Sequence, residues 1–354
     1  MKPIRVLIVD DAVMVRSRLS KILSMDADIE VAGVASSGRI ALARLPQLMP
    51  DVVILDVEMP DMDGLQTLAR IRQSAPHLPV IMFSVMTTRG AIATLDALSL
   101  GASDYVPKPN RLNDIEEVTE YLQETLIPKI KAFSQKVPRP SKLISAIPVH
   151  QPRSLAEIVA IGVSTGGPNA LSALLSELPI DFPVPIVIVQ HLPSTFTKLL
   201  AERLTTKSPL PVHEAITGAA LSPGTIWIAP GDFHLRIEQT PFSEKLVLDQ
   251  SPPQNSCRPS VDVLFESVAE VYGDRTLGII LTGMGQDGLR GCQLIRDRNG
   301  QILAQDEASS VVWGMPGYVA NAGLADAVLP LDQIMSEMLQ RVSYPADSIR
   351  RTNQ

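Results

Sequence analysis

The stretch DVVILDV, residues 51–57, decides how the first third of the chain is read. Its apolar residues run on without alternation and stop at Asp56. A strand with no polar face is buried on both sides, as in a parallel sheet covered by helices. Four neighbours read the same way: RVLIVD (5–10), IEVAGVA (29–35), PVIMFSV (79–85) and DYVPK (104–108). Amphipathic stretches at 12–25, 38–48, 63–74 and 88–100 separate them, and a fifth begins near Leu112. Repeated βα units of this kind predict a doubly wound α/β domain, flavodoxin-like with sheet order 2-1-3-4-5.

The chain has 354 residues, more than one ordinary core holds, so two domains are expected. Residues 1–125 form the first. Residues 126–153 hold six basic and no acidic residues and include the proline-containing run KVPRPSKLISAIPVHQPRS (136–154), which reads as a linker. Residues 154–345 form the second domain and 346–354 a tail. Here strands are expected at 157–164, 185–191, 224–230, 234–239, 245–250, 276–283, 301–306 and 325–331. Helices fit at 166–178, 195–206, 259–272, 287–297 and 332–342. No helix separates the strands at 224–250, which predicts antiparallel hairpins beside a mostly parallel, doubly wound sheet.

Both domains are acidic, with net charges of -5 for residues 1–125 and -8 for residues 154–354 around a +6 linker, which speaks against nucleic-acid binding. No apolar run is long enough to cross a bilayer, so direct membrane insertion is not expected. The N-terminal MKPIRVLIVDDA lacks the form of a signal peptide. Two cysteines, Cys257 and Cys292, cannot build a disulfide framework and are read as structural. A reducing, cytoplasmic setting follows.

In open parallel sheets, ligands bind beyond the carboxyl ends of the strands. Strand 1 ends in Asp10 and Asp11, strand 3 in Asp56, strand 4 in Ser84 and strand 5 in Lys108. Three carboxylates in one crevice repel each other, and a hard divalent cation, Mg²⁺, relieves this. With Lys108 and the Ser84 hydroxyl, such a site suits an incoming phosphoryl group with a carboxylate as acceptor. The set resembles the receiver domain of two-component response regulators over residues 1 to about 125. The resemblance implies that Asp56 is phosphorylated by a histidine kinase and that Asp10, Asp11 and Asp56 hold Mg²⁺. It makes Ser84 and Lys108 phosphoryl sensors and puts Tyr105 at the switch-aromatic position. A packed aromatic at a strand start explains Tyr105 equally well.

IGVSTGGP (161–168) runs from a strand into a helix, with Ser164 at the turn. A helix N-terminus there suits either a phosphate cradle or a serine nucleophile. No Walker lysine follows, and Ser164 replaces the second glycine of a dinucleotide fingerprint. His191 ends the strand PIVIVQH, and Asp287 leaves the glycine-rich turn LTGMGQDG (281–288). Each alone is ambiguous; together they favour catalysis, with His191 as base and Asp287 orienting it. Backbone N–H groups near Thr165 and Met284 are candidate oxyanion donors, and Gln190 a lining residue.

The second domain resembles the catalytic domain of CheB-type chemotaxis methylesterases. The matching segments are IGVSTGGP, VQH, APGDFHL (229–235), CRPSVDVLF (257–265), LTGMGQDG, AQDEASSVVWGMP (304–316) and AVLPL (327–331). The resemblance implies a phosphorylation-activated serine hydrolase with Ser164 as nucleophile and no cofactor for the ester reaction. Its substrates would be methylated glutamates and certain glutamines on chemoreceptor cytoplasmic helices. The alternatives are a non-catalytic binding module, or the same chemistry on another protein ester outside motility.

Overall fold

The computed structural model describes residues 2–85, 87–109, 115–134, 154–241 and 243–342. The expected helix start near Leu112, the stretch 136–153 and the tail 346–354 lie outside the described residues. Two compact units meet in the chain at Pro140/Ser141.

The first unit runs β1 (Ile4–Val9), α1 (Val13–Leu23), β2 (Ile29–Ala35), α2 (Gly38–Leu48), β3 (Val52–Asp56), α3 (Gly64–Ser74), β4 (Val80–Ser84), α4 (Thr88–Ser99), β5 (Asp104–Pro107), α5 (Ile115–Thr125) and α6 (Ile127–Ser134). Its sheet is parallel in the order β2-β1-β3-β4-β5. Val6, Ile8, Ile54, Ile81 and Phe83 pack against Leu19, Ile22 and Leu122, which is why the strands carry no polar face. Chain order reverses between β1 and β3, so a crevice opens where Asp10 and Asp56 emerge. The helix α6 occupies the start of the stretch read as linker, because Ile127 and Ile130 join this core despite the basic composition around them. The Lys108–Pro109 bond is trans; the cis bond among the described residues is Arg258–Pro259.

The second unit runs β6 (Ile158–Val163), α7 (Gly167–Ser176), β7 (Ile186–Gln190), α8 (Ser194–Thr205), β8 (Val212–Glu214), β9 (Ile226–Ile228), β10 (His234–Gln239), β11 (Glu244–Asp249), α9 (Val261–Tyr272), β12 (Thr276–Ile280), α10 (Leu289–Asp297), β13 (Gln301–Gln305), α11 (Met315–Asn321), β14 (Ala327–Leu329) and α12 (Leu331–Arg341). Seven parallel strands form a sheet ordered β14-β13-β12-β6-β7-β9-β8. The expected hairpin exists as β10 and β11 alone. The segment 224–230 is not part of it: β9 enters the main sheet parallel to β7 and β8. Chain order reverses between β6 and β12, so the turns after these strands share one crevice with the end of β7.

Phe265 of α9 is fully buried in the core of this unit beside Val261, Leu264 and Ile295. Truncating it leaves a cavity that close-packed neighbours cannot fill. The variant Phe265→Ala should lose about 3–5 kcal/mol of stability in this unit. Both tryptophans, Trp227 and Trp313, lie in it, so denaturant unfolding followed by tryptophan fluorescence reads it directly. A loss below about 1 kcal/mol would contradict this packing.

Candidate active site and carboxylate pocket

In the first unit, Asp10 and Asp56 are almost completely buried and Asp11 is exposed at the rim. Ligand oxygens of the three lie within 4.8 Å of one another. Lys108 Nζ reaches across from the end of β5, 2.8 Å from Asp10 Oδ2 and 2.8 Å from Asp56 Oδ2. The other oxygens accept backbone N–H groups: Asp10 Oδ1 from Ala12 at 2.9 Å, Asp56 Oδ1 from Glu58 at 3.3 Å. Burial pushes the Asp56 carboxyl up to about 6, against the pull of Lys108. Burial lowers the Lys108 ammonium, but its two carboxylate partners outweigh that and hold it above the usual lysine value.

Among the described residues, the Ser84 hydroxyl, one strand away, makes only long contacts of 3.4 Å to the carbonyls of Val85 and Gly90, so it can turn to another acceptor. Tyr105 is packed inward, 8% exposed, and burial raises its phenol well above the ordinary value.

In the second unit the three strand-end turns interlock. Ser164 directly follows β6; its N–H donates to Thr282 O at 3.0 Å. Its carbonyl accepts Gly167 N–H at 2.8 Å and Gln190 Nε2 at 2.9 Å. A Cβ on Gly283 would come within 2.9 Å of Ser164 Cβ and 2.4 Å of Met315 Sδ, so glycine is required where the two turns cross. Thr165 is buried, its carbonyl accepting the Thr282 hydroxyl at 2.9 Å. Met284 N–H has no hydrogen-bond acceptor among the described residues.

His191 directly follows β7, and its N–H donates to Val163 O at 3.1 Å. Its Nε2 lies 2.8 Å from Asp287 Oδ2. Asp287 is 2% exposed and is held by the N-terminus of α9. It accepts Val261 N–H at 2.7 Å, Asp262 N–H at 3.2 Å, the Ser260 hydroxyl at 2.7 Å and Asn255 Nδ2 at 3.0 Å. Free N–H groups and the helix dipole make such an end an anion site. Burial pushes the Asp287 carboxyl up, and His191, Val261 and Ser260 outweigh it and hold it at about 2. Burial pulls the His191 imidazole down, and the hydrogen bonds to Asp287 and Cys257 raise it to about 10.

The structure therefore joins His191 to Asp287, with the Ser164 turn beside them. Among the described residues, no hydrogen bond links Ser164 Oγ to His191; the imidazole nitrogen away from Asp287, Nδ1, instead faces Cys257 Sγ at 3.8 Å. Cys257, read from the sequence as structural, therefore lies against the imidazole. His234 Nδ1 accepts Ser260 N–H at 3.2 Å. Asn255 and Ser260 were missed. The serine opening SVDVLF was legible as a helix cap, but its reach to a carboxylate 27 residues away was not.

Comparison with known proteins follows the same division. The profile of the response regulator receiver domain matches residues 6–120, and that of the CheB methylesterase matches residues 159–338. A protein-glutamate methylesterase/protein-glutamine glutaminase of Trichodesmium erythraeum is 53% identical over 97% of this chain and 100% of its own length. One from Nocardioides is 47% identical over 99% of this chain and 98% of its own. The crystal structure of the Thermotoga maritima CheB methylesterase catalytic domain is 44% identical, with a TM-score of 0.52. It covers 53% of this chain and 99% of that one.

A raised imidazole is protonated to a higher pH than usual, and below that value the neutral form is the minority. Proton NMR of the full chain should show His191 titrating above the ordinary 6.5. The signal is assigned by its loss in His191→Gln. Asp287→Asn removes the anion and leaves burial, so the midpoint should fall. An unmoved midpoint would contradict the pairing.

Proposed function

This chain belongs to the CheB methylesterase family, with a response regulator receiver domain ahead of the esterase domain, and we propose that it is a phosphorylation-activated serine hydrolase of chemoreceptor glutamyl methyl esters. The observation that carries this is the His191–Asp287 pair, anchored at the α9 N-terminus beside the Ser164 turn. A domain that only bound a partner would have no use for a carboxylate with four further donors behind one imidazole.

Since Nε2 faces Asp287, Nδ1 is the nitrogen that serves as base. Catalytic hydrogen bonds absent from a free enzyme commonly close when substrate binds. In the neutral fraction of the imidazole, Nδ1 takes the Ser164 proton as Oγ attacks the ester carbonyl. The oxyanion is met by backbone N–H groups at Met284 and Thr165. Collapse expels methanol, which receives the proton from His191, and leaves a glutamyl ester on Ser164. Water, deprotonated by the same nitrogen, then releases glutamate and restores Ser164. With a receptor glutamine, ammonia leaves in place of methanol. Asp287 holds the imidazole orientation and stabilises its charged form. Gln190 fixes the Ser164 turn, and the reaction needs no group beyond these side chains.

In the receiver domain, Asp56 accepts the phosphoryl group from a histidine kinase. Asp10, Asp11 and Asp56 fit Mg²⁺: the three carboxylates lie within 4.8 Å and one ammonium bridges two of them, Asp10 and Asp56, which leaves negative charge for a hard cation to neutralise. When bound, the ion offsets the charge of the incoming phosphoryl group. Lys108 and Ser84 contact the phosphoryl oxygens, and Tyr105 responds from the end of the sheet. The phosphoryl group shifts the population towards a form with Ser164 open to substrate, through the linker. The protein acts in the cytoplasm, on the receptors' cytoplasmic helices. Among the described residues, no helix is long and apolar enough to cross a membrane.

Methanol release from methylated receptor, with and without a small-molecule phosphodonor and Mg²⁺, tests both halves. Ser164→Ala should reduce release at least about 100-fold. Asp56→Asn should abolish the response to phosphodonor. Equal release by wild type and Ser164→Ala would overturn the assignment; phosphodonor-independent wild type would overturn the gating.

A further inference from the structure

Cys257 is held in place by more than its neighbours in sequence. Gln254 and Cys257 exchange backbone hydrogen bonds of 3.1 and 2.8 Å, closing a tight turn. The two residues between them, Asn255 and Ser256, have left-handed φ angles of 50° and 60°. The Asn255 side chain ties this turn to Asp262 at 2.8 Å and to Asp287 at 3.0 Å. A thiol on a turn so fixed faces His191 Nδ1 by construction, and both residues remain half-buried rather than sealed off.

We propose that Cys257 Sγ and His191 Nδ1 form a two-ligand site for a thiophilic divalent cation of the Zn²⁺ class, whose binding withdraws the base from the esterase reaction. The block, though not the binding, rests on the assignment of His191 as base.

Three features carry this. First, the Sγ–Nδ1 separation of 3.8 Å is close to the edge of a tetrahedral zinc site, about 3.6 Å from the usual Zn–S and Zn–N lengths. Second, Asp287 sits on the opposite nitrogen. It keeps a proton on Nε2, so Nδ1 is the nitrogen that can lose its proton to a metal, and it supplies the carboxylate partner that metal-bound histidines ordinarily have. Third, sulfur and imidazole select a softer ion than the all-carboxylate pocket of the receiver domain, so the two sites do not compete for Mg²⁺. On binding, the thiol and the imidazolium Nδ1 each release a proton to solvent, the thiolate and Nδ1 then each donate an electron pair, and water completes the coordination. Nδ1 can then no longer accept the Ser164 proton.

Cobalt(II) serves as the spectroscopic stand-in for zinc, because a thiolate ligand gives it a near-ultraviolet charge-transfer band that oxygen ligands do not. The full chain should show that band, and Zn²⁺ should displace it. Cys292→Ser should keep it, Cys257→Ser should lose it, and His191→Gln should weaken the binding at least tenfold. In parallel, Zn²⁺ should inhibit wild-type methanol release over the range in which it displaces cobalt, and a zinc-selective chelator should restore it. No band in the wild type, or a band that survives Cys257→Ser, overturns the site. Full esterase activity with the site saturated overturns the block. Should Ser164→Ala remain active, the function assignment fails while the band stays as it was, so the two failures are distinct.

Discussion

The carboxylate of Asp287 is the point on which the second domain's site is built. An ionised group as buried as this costs several kcal/mol to place unless its oxygens are fully satisfied. Here two backbone N–H groups, a hydroxyl, an amide and an imidazole satisfy it. Those donors come from the residue after β7, from the loop before α9 and from α9 itself, while Asp287 comes from the turn after β12. The one anion therefore fixes the relative position of three elements that are distant in sequence. The imidazole inherits its orientation from that arrangement, and the Ser164 turn is locked beside it by Thr282, Gly283 and Gln190.

The two domains use one architectural device for opposite electrostatic ends. Each places its carboxylate where chain order reverses in a parallel sheet, and each buries it. Asp56, with one ammonium shared between it and Asp10, is pushed up to about 6. Asp287, with a helix N-terminus and an imidazole, is held at about 2. The first pocket is under-compensated, which suits the arrival of a cation and a phosphoryl group. The second is fully compensated, which suits a permanent partner for His191.

Much of this is legible in the sequence because parallel sheets write themselves as unbroken apolar runs and put their chemistry at the strand ends. Asp10, Asp56, Lys108, Ser164 and His191 all follow from that rule. Elements too short to show a period did not: β8 and β9 have three residues each, and β9 was assigned to the hairpin rather than the main sheet. α6 was hidden by basic residues around Ile127 and Ile130. Asn255, Ser260 and the Cys257–His191 contact were invisible for another reason. They depend on how the loop before α9 lies over the sheet, a tertiary fact with no local signature.

Active-site labelling tests the central claim, that Ser164 is the nucleophile His191 serves. After treatment with a fluorophosphonate in the presence of phosphodonor and Mg²⁺, peptide mapping by mass spectrometry should find one adduct, on Ser164. It should be absent from His191→Gln, where no base remains to activate the hydroxyl. An adduct on Cys257, the side chain that faces Nδ1 in this structure, or labelling of Ser164 undiminished without His191, would contradict the account.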